Sequence, residues 1–407
     1  MNYKRIFSLF LAALLTLSPI TASAVGSKEP PSAPEGLSAP PEVTYDPIPT
    51  DTDPIPDSSV KSALLMDAET GQILWGREPD TQREPASVTK VMTMLLVCEA
   101  LDEGTLQPDQ MVTASAHASE MGGSQIFLKE GEQMTVTDLL KAVAVVSGND
   151  AAVALAEAVA GTETAFVERM NQRAIQLGME QTHFVNCTGL PLEGHLTTAH
   201  DIAIMSRELL SHDRIREFTS IWMDSLRDGE FALSSTNKLL KSYDGCTGLK
   251  TGYTSAAGHC ISASARRDDR ELIAVVLGAA DSKERFATAA SLLDWGFASF
   301  RSLTVTPDGP ISPIPVTLGQ QPEVSVKAPS VTLLLRAGDE GKVTTEMELL
   351  PTLDAPVTTE DIVGQLIVKV DDAVAAVLPL NPTQSVEKLD FQGTFVAFLK
   401  NLFSCQW

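Results

Sequence analysis

The sequence predicts an α/β fold, in which apolar helices pack on a sheet, followed by a smaller all-β domain. Apolar residues recur with helical spacing over most of residues 84–211, whereas residues 248–280 have the runs and alternation typical of neighbouring strands. From about residue 301, strand-like segments are separated by Gly, Asp and Pro. We therefore expect an α/β domain over 58–300 and a β-rich domain over 301–386.

The composition argues against some partners. The formal net charge of −23 disfavours nucleic acid, because proteins that bind nucleic acid usually carry a basic stripe. It also disfavours broad electrostatic attachment to anionic lipid. The spacing of the five cysteines fits no zinc pattern, and we expect no metal site. Cys246 and Cys260 flank one strand, and the sequence leaves open whether they form a disulfide.

The first residues have the form of an export signal. Lys4 and Arg5 precede an apolar run, residues 6–17, which is too short to span a bilayer and is followed by an Ala-Ser-Ala site. We expect a signal peptide over 1–24 and an extracytoplasmic protein, the alternative being an uncleaved anchor. Residues 25–57 are rich in Pro with Ser, Thr, Asp and Glu, which predicts an extended, semi-rigid linker.

The α/β domain is expected to open with two strands around a turn at residues 69–71. The helix that follows is apolar on every side, which is typical of a helix in a core. Thr137 is the expected cap of a second apolar helix, and a break at residues 147–149 separates it from a third. The predicted helices cover residues 84–104, 136–146, 150–160, 162–177 and 199–211.

Three strands and one helix complete this domain. The segments GLKTGYT, HCISASA and ELIAVVLGAA are predicted to be neighbouring strands, and residues 282–300 are predicted to be helical. The candidate core positions of that helix are Leu292, Leu293, Trp295 and Phe297.

The last segment, residues 387–407, is predicted to be an amphipathic helix. One face is strongly apolar, which is typical of a helix lying in a membrane interface, so a membrane surface is an expected partner. The alternative is a helix docked on the β-rich domain. The apolar side chains at helical spacing are Phe391, Phe395, Phe398, Leu399, Leu402 and Phe403.

Lys90 is unexpected inside the first apolar helix, because burial of an ammonium costs several kcal/mol. Ser87 lies three residues earlier, so the two side chains share a helical face. Burial lowers the pKa of a lysine, and a neutral amine beside a hydroxyl is a general base beside a nucleophile. The alternative is a capping serine and a lysine that reaches solvent. The same spacing occurs without such a helix at Ser58/Lys61, Ser235/Lys238 and Ser385/Lys388.

Ser147 and Asn149 lie in the break between two apolar helices, which would enclose them. The hydroxyl can relay a proton to a leaving amine, and the amide can bind a substrate carbonyl and pair with a lysine. The alternative is an ordinary turn, since Ser, Gly and Asn are all turn residues. A second match to this pattern, residues 235–237, is interpreted as chance.

Lys250 and Thr251 are predicted to lie on one strand, where a cation and a hydroxyl suit a substrate carboxylate. Gly252 removes a side chain, so that a peptide could approach the strand and bind by strand addition. The alternative is a surface strand that carries an isolated lysine.

Together and in this order, these three motifs resemble those of the active-site serine penicillin-binding proteins and serine β-lactamases. Ser-Gly-Asn as the middle motif resembles the D-alanyl-D-alanine carboxypeptidases of low molecular mass. Further similar segments, among them GGSQIFLKEGE, FVNCTGL and LLDWGF, extend the resemblance over about 58–300. It implies a serine β-lactamase/transpeptidase-like fold, an antiparallel sheet with helices.

The resemblance also implies an activity. The protein would remove the terminal D-alanine from the peptidoglycan stem pentapeptide through an acyl-enzyme, with no metal or organic cofactor, and β-lactam antibiotics would inhibit it. Ser87 would be the nucleophile and Lys90 its base, with Ser147 and Asn149 as the proton relay and the substrate-orienting pair.

Four further residues receive roles from the resemblance. Lys250, Thr251 and Arg285 would bind the terminal carboxylate of the substrate. The backbone N–H groups of Ser87 and Tyr253 would form the oxyanion hole.

Three other functions stay open at this point. A class A serine β-lactamase would position its deacylating water with a glutamate, and no Glu-x-x-Leu-Asn occurs between Asn149 and Lys250. A metallo-carboxypeptidase would use His195, His200 and Asp201, but no second ligand cluster is visible. A penicillin sensor that is acylated without turnover would share every motif.

Overall fold

The computed structural model describes residues 36–44, 52–307, 311–390, 393 and 395. An antiparallel sheet with helices is followed by a group of small sheets, which confirms the predicted fold class. The predicted signal peptide lies outside the described residues.

The predicted helices are present, with bounds that differ by a few residues from those expected. A 3₁₀ turn, Ala86–Thr89, precedes the first of them. The helices are α1 Lys90–Asp102, α2 Ala116–Ser119, α3 Val136–Val146, α4 Asn149–Ala160, α5 Glu163–Gln176, α6 Ala199–Ser211, α7 Arg216–Thr219, α8 Leu239–Ser242 and α9 Ser282–Ser299.

The predicted cap of α3 at Thr137 is wrong. The helix begins at Val136, so Thr137 already lies in its first turn. A capping residue precedes that turn and accepts a bond from one of its free N–H groups. Thr135 does so, accepting from the Asp138 N–H at 3.1 Å, whereas the Thr137 hydroxyl donates to the Pro108 carbonyl at 2.9 Å.

The first domain contains a five-stranded sheet with the order β2-β1-β9-β8-β7, in which every neighbouring pair is antiparallel. Two short two-stranded antiparallel sheets, β3/β4 and β5/β6, lie outside it. The strands are β1 Ser62–Asp67, β2 Ile73–Arg77, β3 Met111–Thr113, β4 Gln133–Thr135, β5 Met223–Leu226, β6 Phe231–Ser234, β7 Cys246–Thr254, β8 Gly258–Arg267 and β9 Arg270–Ala279.

The sheet separates two hydrophobic cores, because successive side chains of a strand point to opposite faces. In β1, Leu64 packs in the core formed with α1, α3, α4 and α6, whereas Leu65 packs in the core formed with α9. Strand β9 is buried along its whole length, as expected for a strand covered on both faces. Of the core positions predicted in α9, Trp295 is only partly buried, and the other three are buried.

The second domain is built from strands, as predicted. Its sheets have the orders β10-β14, β12-β11-β16 and β13-β18-β17-β15. The strands are β10 Phe300–Val305, β11 Ile314–Thr317, β12 Glu323–Val324, β13 Val326–Lys327, β14 Val331–Arg336, β15 Val343–Leu349, β16 Leu353–Asp354, β17 Gly364–Val370 and β18 Ala373–Pro382.

The predicted linker, as far as it is described, contacts both domains. The Thr44 N–H donates to the Val374 carbonyl of β18 at 2.8 Å. Ile55 is buried in the core beneath α9, and Leu334 of β14 belongs to the same core. The second domain is therefore joined to the first by apolar packing as well as by the chain.

Cys246 and Cys260 are free thiols. Cys246 pairs with Ala265 across the sheet, whereas Cys260 pairs with Gly252, so the two cysteines occupy distant register positions on β7 and β8.

Of the predicted C-terminal helix, only its first residues, 387–390, and residues 393 and 395 are described, so this prediction lies mostly outside the described residues. Across the described chain, no helix combines the length and the apolar character needed to cross a membrane.

Candidate active site

Ser87 lies in the 3₁₀ turn that leads into α1, close to the predicted helix N-terminus. Ala86 has a φ of +48°, which is uncommon for a residue with a side chain. The Thr89 hydroxyl donates to the Ala86 carbonyl at 2.8 Å. A Cβ at Gly189 would collide with that carbonyl, so the loop that contains Gly189 packs directly on the turn. Contacts from two sides therefore fix the backbone at Ser87.

Lys90 is fully buried, and three acceptors surround its amine. Nζ lies 3.1 Å from Ser87 Oγ, 2.6 Å from Asn149 Oδ1 and 2.7 Å from the Thr188 carbonyl. Burial lowers the pKa of Lys90 to about 7, although Asp150 acts in the opposite direction. Near neutral pH, a large fraction of this amine is neutral and able to accept a proton from the Ser87 hydroxyl.

Thr188 was not predicted as a site residue. Asn186 Oδ1 accepts bonds from the Thr188 N–H, the Thr188 hydroxyl and the Gly189 N–H, and this turn directs the Thr188 carbonyl at Lys90. Its sequence signal was the segment FVNCTGL, in which an Asn followed closely by Thr and Gly is typical of a side-chain-stabilised turn.

His195 connects Val185 to Thr89 of the Ser87 turn. Its Nδ1 accepts from the Val185 N–H at 3.0 Å, so its Nε2 carries the proton and donates to the Thr89 hydroxyl at 2.8 Å. Burial lowers the pKa of His195 to about 4, which keeps the ring neutral. Asp201 instead accepts from Thr182 and Gln181, and His200 pairs with Asp80.

These three residues of the metallo-carboxypeptidase hypothesis therefore serve separate contacts. Across the described residues, no cluster of three or more His, Cys, Asp or Glu side chains is placed to hold a metal ion.

Ser147 and Asn149 lie at the junction of α3 and α4, as the sequence predicted. Ser147 has left-handed backbone, with φ 64°, and its Oγ is buried without a hydrogen-bond partner among the described residues. Asn149 Oδ1 accepts from Lys90, and Nδ2 donates to the Gly122 carbonyl at 2.6 Å, which fixes the orientation of the amide. An unpaired buried hydroxyl is costly and is typical of a group that acts on a ligand.

Lys250 and Thr251 lie on β7, the edge strand of the sheet. Lys250 is 1% exposed, and among the described residues its Nζ donates to the Thr251 carbonyl at 2.8 Å. Its pKa is lowered well below the usual value, first by burial and then by the positive charges of Lys90 and Arg285. The two lysines therefore lie close enough to interact, and we call the region between α1 and β7 that contains them the cleft.

Gly252 allows β7 to approach the Ser87 turn. A Cβ at this position would lie 2.9 Å from Ser87 N and 3.0 Å from the Pro85 carbonyl oxygen. The sequence predicts that the missing side chain admits a peptide, and the structure shows that the atoms closest to a Cβ here belong to the protein itself. The glycine therefore allows the strand to lie next to Ser87.

Arg285 and Tyr253 lie at this strand in different ways. Arg285 is buried, and its Nη1 donates to the Gly252 carbonyl at 3.1 Å and to the Cys260 carbonyl at 3.2 Å. Burial lowers its pKa to about 10, so it remains a cation at neutral pH. Tyr253 follows Gly252, is 59% exposed and stacks on His259.

This arrangement provides the parts of a serine acyl-transfer site. A hydroxyl contacts a buried amine of lowered pKa, a second hydroxyl has no hydrogen-bond partner among the described residues, and Lys250 on β7 and Arg285 on α9 lie nearby. Such a site suits attack on a carbonyl next to a carboxylate.

Comparison with protein families agrees with the geometry. Residues 50–281 match the family model described as D-alanyl-D-alanine carboxypeptidase, Peptidase S11. Residues 300–388 match the model described as penicillin-binding protein 5, C-terminal domain.

Curated relatives match most of the chain. The D-alanyl-D-alanine carboxypeptidase DacF of Bacillus subtilis is 40% identical over 346 residues, which cover 84% of this chain and 88% of the relative. The D-alanyl-D-alanine carboxypeptidase DacC of Escherichia coli is 33% identical over 371 residues, covering 86% and 90%.

Solved structures match as well. Penicillin binding protein 5 of Haemophilus influenzae has a TM-score of 0.73 at 31% identity and covers 82% of this chain and 99% of its own. Penicillin-binding protein D2 of Listeria monocytogenes, solved in an ampicillin-bound form, has a TM-score of 0.55 at 32% identity and covers 60% of this chain and 99% of its own.

Proposed function

The chain belongs to the D-alanyl-D-alanine carboxypeptidase family and is a serine hydrolase; we propose that it removes the terminal D-alanine from the peptidoglycan stem pentapeptide, with Ser87 as the nucleophile. The observation that carries this proposal is the contact of the buried Lys90 amine with Ser87 Oγ at 3.1 Å. An amine whose pKa lies at about 7 is suited to act as a base at neutral pH.

Acylation would begin with transfer of the Ser87 proton to Lys90. Ser87 Oγ bonds to the carbonyl carbon between the two D-alanines, and the bond to the leaving nitrogen breaks. That nitrogen needs a proton, and the unpartnered hydroxyl of Ser147 is suited to relay it from Lys90. Asn149 would hold Lys90 in place and orient the substrate.

The terminal carboxylate would bind on the β7 side of the cleft. Lys250 and Thr251 offer a cation and a hydroxyl. Arg285 contributes positive charge, but its bonds to the Gly252 and Cys260 carbonyls support a second role, to hold β7 against β8.

The oxyanion hole would use the backbone N–H groups of Ser87 and Tyr253. The close approach at Gly252 supports this, because it sets the strand beside Ser87 N. Donors aimed at a developing oxyanion typically contribute about 10²–10³-fold in rate. Water would then hydrolyse the acyl-enzyme, and no step requires a cofactor.

We also propose that the protein is exported and acts outside the cytoplasm, on the basis of residues 1–24. The apolar face predicted in residues 387–407 supports peripheral attachment to the membrane. Membrane fractionation of a chain truncated after Val386 tests this, since a truncated protein that still sediments with membrane contradicts attachment through that segment.

The activity is tested by release of free D-alanine from a diacyl-Lys-D-Ala-D-Ala peptide. We expect release by the wild type, loss of release in Ser87→Ala, and loss on addition of penicillin. Ser385→Ala is the matched control, because Ser385 begins another Ser-x-x-Lys match in the second domain and is exposed.

Each other outcome has a distinct meaning. Unchanged release by Ser87→Ala contradicts the proposed nucleophile. No release by the wild type, with stable penicillin labelling at Ser87, favours a sensor without turnover. Rapid hydrolysis of penicillin favours a β-lactamase.

A further inference from the structure

Residues 235–237, which follow β6, are hydrogen-bonded to both α3 and β7. The Thr236 N–H donates to the Val145 carbonyl at 3.2 Å, two residues before Ser147 in α3. On the other side, the Thr251 hydroxyl donates to the Thr236 hydroxyl at 2.7 Å. This second match to the Ser-x-Asn pattern therefore contacts residues on both sides of the candidate site.

Asn237 fixes the backbone of this segment. It is buried, its Nδ2 donates to the Gly248 carbonyl at 2.9 Å, and its Oδ1 accepts from the Leu239 N–H at 3.1 Å. Thr236 itself is exposed, whereas Thr251 is 5% exposed. The Thr236 hydroxyl therefore lies at the solvent side of the hydroxyl pair.

The hydroxyl of Thr251 has one proton to donate, and in the free enzyme Thr236 accepts it. A carboxylate has acceptors only, so it can bind Thr251 only if that proton turns towards it. The Thr251 oxygen then has a lone pair free on the side of Thr236. The Thr236 hydroxyl can rotate and donate to it, so that the bond between the two residues reverses and is not lost.

We propose that Thr236 is a positioning residue for recognition of the terminal carboxylate, acting through the hydroxyl of Thr251. This inference rests on the proposed function and adds a residue to it. The ligands concerned are those with a free carboxylate beside the scissile amide, such as a C-terminal D-amino acid or a penicillin. Ligands without that carboxylate gain nothing from Thr236.

The test compares acylation of Ser87 by benzylpenicillin and by its methyl ester, which lacks the free carboxylate. We expect Thr236→Val, which keeps the shape and the backbone bond, to lower the second-order rate with benzylpenicillin about tenfold, the usual worth of one hydrogen bond. The rate with the ester should change less than about twofold, within the effect of a neutral substitution. Thr236→Ser should restore the preference for the free acid.

Thr304→Val is the matched control. Thr304 also shares a hydroxyl–hydroxyl bond, with Thr332 at 3.2 Å, but the pair is exposed in the second domain. We expect wild-type rates with both compounds. Equal losses with acid and ester in Thr236→Val would show a merely structural role and overturn the proposal, as would no loss with either.

A double-mutant cycle with Thr251→Val tests whether Thr236 affects acylation through the Thr251 hydroxyl. If Thr236 acts through Thr251, Thr236→Val should have almost no further effect once the Thr251 hydroxyl is absent. Additive losses would overturn the proposed route. Failure of penicillin to label Ser87 in the wild type would instead contradict the proposed function.

Discussion

The cleft has two walls, each with a buried lysine, and the two lysines differ in the number of hydrogen-bond acceptors around the amine. In the helical wall, formed by Ser87, Lys90, Ser147 and Asn149, the Lys90 amine contacts two acceptors of the wall and the carbonyl of the adjacent Thr188. The strand wall, formed by Lys250, Thr251 and Gly252, gives the Lys250 amine one bond, to the carbonyl of the next residue, among the described residues.

This difference indicates which of the two lysines already has its hydrogen-bond partners before substrate binds. Lys90 already has its contacts to three acceptors, and burial lowers its pKa to about 7 against the opposing effect of Cys187 and Asp150. Lys250 lies in a place where burial and two neighbouring cations disfavour its charge. An anion bound there would oppose that effect, and in our proposal this anion is the substrate carboxylate.

The largest expected effect is that of replacing Lys90, in the helical wall. Lys90→Met keeps the length of the side chain and removes the base, so we expect D-alanine release to fall about 10³-fold. Steady-state kinetics, with a thermal melt to confirm folding, measures it. The control is Lys61→Met, the exposed lysine of another Ser-x-x-Lys match. A loss below about 100-fold, the lower end of such effects, would contradict the assignment of Lys90 as base.

At the strand wall, Lys250→Met removes a charge that we expect to matter for binding. The specificity constant for D-alanine release should fall about 100-fold, mainly through KM, since loss of one partner of a buried charge pair is costly. Lys238→Met, at an exposed lysine, controls for general loss of charge. A change confined to kcat would argue against carboxylate binding.

A smaller effect is expected at Gly252, where a substitution tests whether acylation requires the contact between the two walls. Gly252→Ala places a methyl group 2.9 Å from Ser87 N, so β7 must shift by a few tenths of an ångström. We expect about a tenfold loss in the rate of penicillin acylation, because misplacement by about 1 Å can cost 10²-fold. Gly341→Ala, where a Cβ meets no atom within 4 Å, is the control. Equal rates would show that the contact is not needed.

The smallest effect is the pH dependence of the helical wall. The pKa of Lys90 lies at about 7, and the neutral amine is the active form, so acylation by penicillin should rise with pH and level off above that value. From pH 7 to pH 6 the neutral fraction, and with it the rate, should fall about fivefold. Stopped-flow acylation across this range measures it. A flat profile between pH 6 and 8 would contradict a titrating base with this pKa.

Ser87 and Lys90 could be paired from the sequence because residues three apart on a helix are neighbours. Lys90 also carried its own signal, since a lysine in a helix that is apolar all round must be either paired or shifted in pKa. The other predictions that held, such as the order of β7, β8 and β9, likewise depend on patterns local to the chain.

Two features of the site depend on contacts between distant segments, which the sequence alone does not show. The sequence predicts that Gly252 lets a substrate peptide approach the strand, and the structure adds that the atoms nearest to its missing side chain come from residues 85–87. Residues 235–237 are a chance match in the sequence, and only the fold places Thr236 against Thr251. The wrong prediction of Thr137 as the cap of α3 is by contrast a local error of two residues, because cap position depends on where the backbone turns and not on composition alone.

The sequence by itself determined the fold class, the family and the chemical groups of the site, because periodicity and short motifs are local properties. Tertiary structure alone decided that the Thr188 carbonyl and Asn149 accept hydrogen bonds from Lys90. It also decided that β7 lies beside Ser87 at Gly252, and that Thr236 is hydrogen-bonded to Thr251. Hydrogen bonds act only within about 3 Å, and packing of the whole chain sets which distant groups come that close.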